Sequence, residues 1–423
     1  MIELLSGLIF FIILGTILMY INKYLNNDNY SLYFIFNLSW IIMISLYIMN
    51  FNDLPMISLF LKLYLSIYFI IVNLSYFIVR KLSISHISIR IEDSYNFNKK
   101  ILSILFLLWI IFLLYFLMKV YTTIGFEKFF LSNAARKIIH ELGKEYNINI
   151  SYYIFGTYYL WGLTYLNVSR NERHKFKYII VLSSLLLTAA KMNFVMAILG
   201  SIFIKYHYSN LSYKKILLLI LPYIGGFLIF LVLFAIFTGK VVDSSVGSIT
   251  SLEDIKNITF GVLLYPYTYL VSSLFALDYY VNHIINSNGY EIDYMFRYIL
   301  LPLYKILAKF DLVNNVPSHI LSFVYIDGFK TNVYSFFYVL FHDFGLIGSL
   351  FFGILSSWLF ALFDFNIKFN KSFLLYLMYG YLAVGSFLSI ISYRFNTTIF
   401  IGFLLFFASV YLYKGKLFVK NSI

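Results

Sequence analysis

What this chain can fold into is set first by its apolar runs. Residues 101–118 read ILSILFLLWIIFLLYFLM, without a single charge. Runs nearly as bare recur at 2–22, 31–50, 57–79, 151–169, 216–236, 345–363, 372–391 and 398–413. About 20 such residues in a helix span the hydrocarbon layer of a bilayer, where every backbone N–H and C=O must be satisfied within the segment. The expected fold is therefore all-α and polytopic, one integral membrane domain over 1–423. Charged residues make up 12% of the 423, against about 25% in an ordinary soluble domain. The opening MIELLSGLIFFIILGTILMYI has no positive n-region and no small-residue cleavage site, so it is expected to remain as a helix.

The formal net charge of +13 raises the question of a nucleic-acid partner. No basic groove interleaved with aromatics accompanies it, and no nucleic acid is expected. Lys and Arg instead gather in short segments between the runs, as they do in cytoplasmic loops. One segment is 80–100, with Arg80, Lys81, Arg90, Lys99 and Lys100. The others are 170–177, with Arg170, Arg173, Lys175 and Lys177, then 205–215, and the C-terminus with Lys414, Lys416 and Lys420. All four are expected on one side, the cytoplasmic one.

Lys191 is the exception that fixes a detail. It interrupts SSLLLTAAKMNFVMAILG (183–200), where a charge at the centre of a span costs about 2.5–3.5 kcal/mol. The run leaves one basic segment at Lys177 and enters another at Lys205, so an even number of crossings must lie between them. Two short helices over 178–204, turning at Ala190-Lys191-Met192, satisfy that condition. They place Lys191 at the outer tip of a recessed hairpin. The alternative is one long helix with a snorkelling lysine. The hairpin brings the expected count to about eleven spans.

Two outer loops are long, 119–150 and 237–332. Both are expected to carry amphipathic helices against the outer face. Within the second, 261–277 and 294–310 form an alternative pair that dips into the bilayer. No metal, phosphate-loop or nucleophile motif is present, and the absence of cysteine removes disulfides and thiolate sites. The outer cations stand out instead: Arg136, Lys191, Arg297 and Arg394. Arginine grips phosphate in bidentate fashion and lysine as a point charge, so such a set suits a diphosphate on a lipid. Asp343, next to His342, meets a span where a bare carboxylate is costly, and is expected to pair or to cap the helix starting at Phe344. His319 is a surface histidine able to take a proton from a sugar hydroxyl.

The segment TNVYSFFYVLFHDFGLIGSLFFGIL (331–355) resembles the tail of the long periplasmic loop in O-antigen polymerases of the Wzy type. There an Asn-x-Tyr stretch leads to Asp-Phe-Gly-x-x-Gly and the next span. Those positions here are Asn332, Tyr334, Asp343, Phe344, Gly345 and Gly348. The stretch YPYTYLVSSLFALDYYVN (265–282) is similar in style to the same loop. Polymerases and O-antigen ligases share a short helical hairpin whose turn carries Arg-x-x-x-Leu. Lys191 and Val195 stand there in this chain, a departure that keeps the charge and loses the bidentate fork. Ligases typically show His-Asn before the final Gly-containing span. Thr331-Asn332 here favours the polymerase.

The resemblance implies a GT-C-like fold in the bacterial inner membrane, with 119–150 and 237–332 in the periplasm. It implies metal- and cofactor-independent polymerisation of undecaprenyl-diphosphate-linked oligosaccharides, which serve as both donor and acceptor. A chain-length regulator and a flippase would be partners. Arg136, Arg297 and His319 are then the expected catalytic residues. Lys191, Asn332, Tyr334, Asp343 and Arg394 are the expected substrate-binding ones. The rival readings are a lipid-linked oligosaccharide flippase and an O-antigen ligase.

Overall fold

The computed structural model describes residues 15–16, 31–49, 57–83, 87–90, 94–124, 151–186, 191–209, 267, 270–282, 296–308, 310–313, 316, 324–326, 329–331, 334–391, 398–414 and 416–419. The expected span 216–236, nearly all of 2–22 and most of both outer loops lie outside them. Ten α-helices are defined among the described residues: α1 (Leu32–Met49), α2 (Leu59–Ser83), α3 (Tyr95–Ile124), α4 (Ser151–Arg170), α5 (Lys175–Leu186), α6 (Lys191–Ser209), α7 (Leu301–Ala308), α8 (Phe336–Phe369), α9 (Phe373–Phe387) and α10 (Thr398–Lys414). Residues 270–282 are helical as well. By length and apolar composition α2, α3 and α8 are each able to cross a membrane, and α1 and α9 are shorter apolar helices. The protein is a helical membrane protein. Its helices are joined by two small antiparallel ribbons, β1 (Ile87–Arg90) with β4 (Lys416–Val419) and β2 (Val324–Ile326) with β3 (Phe329–Thr331).

The chain forms two compact units, Met1–Ile91 with Tyr267–Ile423, and Glu92–Pro266. In the second, α4 is the centre. Its rings pair with α3 in antiparallel order, Phe116 with Tyr152, Phe112 with Phe155 and Phe106 with Tyr159. Trp109 of α3 donates to Ser184 Oγ of α5 at 3.2 Å, and Tyr152 to Ser184 O at 3.4 Å. On its other side α4 runs parallel to α6: Trp161 donates to Ala197 O at 3.1 Å, and Tyr165 meets Tyr208 edge-on. With α5 antiparallel to α4 and α6 parallel to it, α5 and α6 run opposite ways. Lys175 and Ser209 thus lie towards one end, and Lys191 begins α6 at the other. At 1.5 Å per residue, α5 is only about 18 Å long and α6 about 28 Å.

Helices in lipid gain little from the hydrophobic effect and associate through close packing, which favours small residues at contacts. Gly200 shows this. A β-carbon there would lie 2.3 Å from the Trp161 indole. α4 stops where Asn171 turns left-handed (φ 57), the usual way to close a helix. Glu172 in the following linker accepts from the Tyr95 hydroxyl at 2.5 Å and lies 3.0 Å from His174 Nε2. Those contacts tie the start of α3 to the α4–α5 junction.

The first unit is organised by α1, α2, α8 and α9. α8 is not one rod. At Gly345 the backbone takes φ 67, ψ −173, a region open almost only to glycine, and the chain reverses. Contacts along α2 trace the reversal. Phe336 and Phe337 pack on Tyr68, and Phe341 on Tyr64. After the turn, Tyr64 bonds Leu346 O (3.0 Å) and Ser349, Tyr68 lies against Gly353, and Tyr76 bonds Asp364. Residues 336–344 therefore climb towards the Leu59 end of α2, and 346–369 descend the whole of it. The stack of Phe344 on Phe352, 5.2 Å apart, closes the fold-back. The expected span 345–363 is the descending arm, and the ascending arm is a re-entrant helix. Its first residue lies about 14 Å along α2 from Leu59, roughly two-fifths of the way down.

Helix 270–282 packs alongside α1. Ser273 Oγ donates to Ile390 O at 2.6 Å and touches Met43 Sδ, and Phe275 meets Tyr47. This segment of 237–332 is threaded among the helices of its unit. At the other end, β1 pairs with β4 so that Arg90 faces Lys416. Two of the basic segments are thereby joined edge to edge, which requires both to lie on one side of any layer that α2 and α10 cross.

Candidate functional site

Three aspartates, Asp343 and Asp364 buried and Asp278 half-buried, define how the first unit is held. Each accepts from the start of a helix remote in sequence. Asp364 takes the Leu32 N–H on both carboxylate oxygens (2.9 and 3.1 Å) and the Tyr76 hydroxyl at 2.8 Å. Asp278 takes Ser58 N–H at 3.0 Å together with the Ser58 hydroxyl, at the start of α2. Asp343 takes Tyr298 N–H at 3.3 Å and Ile299 N–H at 2.8 Å, in the turn 296–300 that leads into α7. A helix start carries unsatisfied N–H groups and the positive end of the helix dipole. In an apolar layer such groups need partners, and a carboxylate satisfies both demands at once. Arg80 is buried in the same way: its guanidinium lies 3.5 Å from Ala361 O and over the Phe365 ring.

Of the two roles expected for Asp343, it is paired, and capping at Phe344 is the one that fails. It does not cap a helix starting at Phe344, since that residue lies inside α8 and the break falls at Gly345. Its carboxylate turns instead to amides 45 and 44 positions earlier in the chain.

Around this junction the structure gathers an aromatic cluster. Tyr338 lies 4.4 Å from Tyr334, 4.5 Å from Tyr280 and 6.2 Å from Tyr298, ring to ring. His342 stands edge-on to Tyr298 at 4.6 Å, and its Nδ1 is 3.5 Å from Asp343 Oδ1. Phe296 packs on Phe344 at 4.9 Å while its own backbone is left-handed (φ 53), a conformation bulky side chains rarely adopt. Arg297, half-buried, sits between that strained residue and the two amides bound by Asp343.

Of the expected site residues, Arg297, Tyr334 and Asp343 are described; Tyr334 and Asp343 make contacts of this cluster, and Arg297 stands between two residues that do. Arg136, His319, Asn332 and Arg394 lie outside the described residues. Lys191 is the first residue of α6, in the other unit, and its side chain is outside the description. Tyr280, Tyr298, Tyr338 and His342 were not singled out from sequence as site residues. Nothing distinguishes one tyrosine from another in a chain with 40 of them. The signal that was there to be used is the aspartates: Asp278 in FALDYY and Asp364 in FALFDFN interrupt apolar runs, and such a charge needs a partner.

Below the cluster, the start of the re-entrant arm borders a cavity of about 110 Å³ between α1, α2 and α8, lined by Tyr33, Phe36, Tyr68, Phe336, Gly353 and Ser356 among others. The Tyr33 hydroxyl and Ser335 Oγ are buried and make no hydrogen bond among the described residues. Among those residues no group of three or more His, Cys, Asp or Glu could hold a metal ion. No family model, curated protein or solved structure matches this chain.

Proposed function

We propose that this protein polymerises lipid-diphosphate-linked oligosaccharide repeat units at the outer face of a bacterial inner membrane. The observation that carries the reading is that the residues flanking Arg297 pack on the segment 334–345, Phe296 on Phe344 and Tyr298 on Asp343, Tyr338 and His342. That segment is the one that resembles the O-antigen polymerases, and Arg297 was singled out on separate grounds, as an outer cation suited to a diphosphate. In the reaction, a sugar hydroxyl of the acceptor attacks the anomeric carbon of the donor glycan. The new C–O bond forms as the bond from that carbon to the lipid diphosphate breaks. The diphosphate leaves with the electron pair, and the hydroxyl proton passes to a base, for which His319 is the candidate. Arg297 would hold the departing diphosphate. Fixed positive charge is worth most where water is excluded and no reorganisation is needed. Tyrosine faces beside Arg297 offer apolar surfaces with polar tips on which sugar rings can lie.

The test is the glycan ladder of a strain lacking the gene. Glycan of a single repeat unit, with longer chains absent, supports the polymerase. Loss of attached glycan of every length would mean a ligase. A second reading, a flippase for the same lipid, is favoured by one observation. The re-entrant arm starts deep in the helical layer beside a cavity lined by Tyr33, whose hydroxyl makes no hydrogen bond among the described residues, as broken helices do at transporter binding sites. Lipid-linked units retained on the inner side in the deletion strain would favour it over the polymerase.

A further inference from the structure

We infer that Asp343 is a positioning residue for Arg297 and not a ligand of sugar or phosphate. The inference rests on the reading of Arg297 as a diphosphate ligand. It concerns how an acid and an anion-binding arginine come to lie in one site.

Asp343 is fully buried (0% exposed), so no substrate atom reaches it. Both carboxylate oxygens are engaged, Oδ1 by Tyr298 N–H and Oδ2 by Ile299 N–H. These amides open the turn that runs into α7, where Leu300 N–H closes on Phe296 O at 2.9 Å. The charge of Asp343 is thus spent on the positive end of that turn and is screened from an incoming diphosphate. On the other side of Arg297, Phe296 is held left-handed against Phe344, the residue that follows Asp343. Arg297 is pinned on both flanks, by Phe296 on Phe344 before it and by the Asp343 cap after it. Both anchors stand next to Gly345, where the chain reverses. The arginine is therefore presented from a short, fixed stretch of backbone in place of a free loop, which is the preorganisation that electrostatic stabilisation of a leaving group requires.

The chain contains no cysteine, so one introduced at position 297 reports local exposure without background. Arg297→Cys is combined with Asp343→Leu, which removes both acceptors, and with Asp343→Asn, which keeps one carbonyl oxygen. Labelling by a membrane-impermeant maleimide is measured in membranes at matched protein levels. A cysteine at Tyr279, 55% exposed in helix 270–282, serves as control. Loss of the cap is expected to raise the rate at 297 by about ten- to a hundredfold with Leu and by less with Asn, leaving 279 unchanged. An unchanged rate at 297 overturns the inference, and so does an equal rise at 279, which would mean general loosening. With Arg297 in place, Asp343→Leu should shorten the glycan ladder as Arg297→Ala does, and the double variant should be no worse. Normal ladders in both single variants, together with the expected labelling change, would leave the positioning intact and refute the role given to Arg297.

Discussion

At the scale of single residues, the account depends on a few positions whose neighbours cannot be replaced. Gly345 is the sharpest. With φ 67 and ψ −173 it occupies a region costing other residues about 1–3 kcal/mol. Gly345→Ala is expected to lower stability in detergent by that amount, measured by denaturant titration, whereas a straight helix through 345 would be steadied by alanine. Asp364 offers a cleaner pairwise test. Tyr76→Phe removes a single hydroxyl from the carboxylate (2.8 Å) and should cost about 1.5–3 kcal/mol, the range for a hydrogen bond to a charged group. In an Asp364→Leu background the same change should cost close to nothing. Equal costs in both backgrounds would detach the tyrosine from the cap.

Among the elements, the apolar runs named their helices well. α1, α2, α3, α4, α9 and α10 fall on runs read from composition alone, because a 20-residue span is a local property of the chain. The break in α8 was not legible. Residues 344–363 carry no charge, and nothing in VLFHDFGLIGSL separates a glycine that reverses the chain from one that lets a helix pass. The caps were hidden for a different reason. Asp364 and Leu32 are 332 positions apart, and only the assembled unit shows which helix start each acid serves. Two element-level outcomes follow. Gly200→Ala forces a β-carbon against the Trp161 indole at 2.3 Å and should destabilise the α4–α6 contact by about 1–3 kcal/mol. Trp161→Leu should relieve most of that penalty, and no relief would mean that the two helices are not in contact there. The tie between the start of α3 and the α4–α5 linker should respond to acid. The Tyr95 hydroxyl, and then His174, hold the Glu172 carboxyl below its usual range. A carboxylate with a lowered folded-state pKa gives its full contribution above the unfolded value and loses it as pH falls through the folded one. Hydrogen exchange at the start of α3 should therefore quicken in acid in the wild type, and Glu172→Gln should remove that dependence.

For the whole molecule, the first question is sidedness. Ser94, exposed between β1 and α3, lies in the basic segment 80–100 that the β1–β4 ribbon joins to the C-terminal one. A cysteine there should resist an impermeant reagent applied from outside, and one at Tyr279 should accept it; the reverse pattern would invert the protein in the membrane. The second question is what the molecule does once the outer end is reached by substrate. Re-entrant arm, tyrosine cluster and pinned arginine have one joint purpose in this account, to hold a lipid diphosphate while a sugar hydroxyl displaces it. The most direct measurement is reconstitution. Purified protein in liposomes is given the lipid-diphosphate-linked repeat unit, and the glycans and lipids are then separated by length. The account predicts glycans of two or more units together with released lipid diphosphate, both abolished by Arg297→Ala. Repeat units that cross the bilayer unextended, with no lipid diphosphate released, would contradict it.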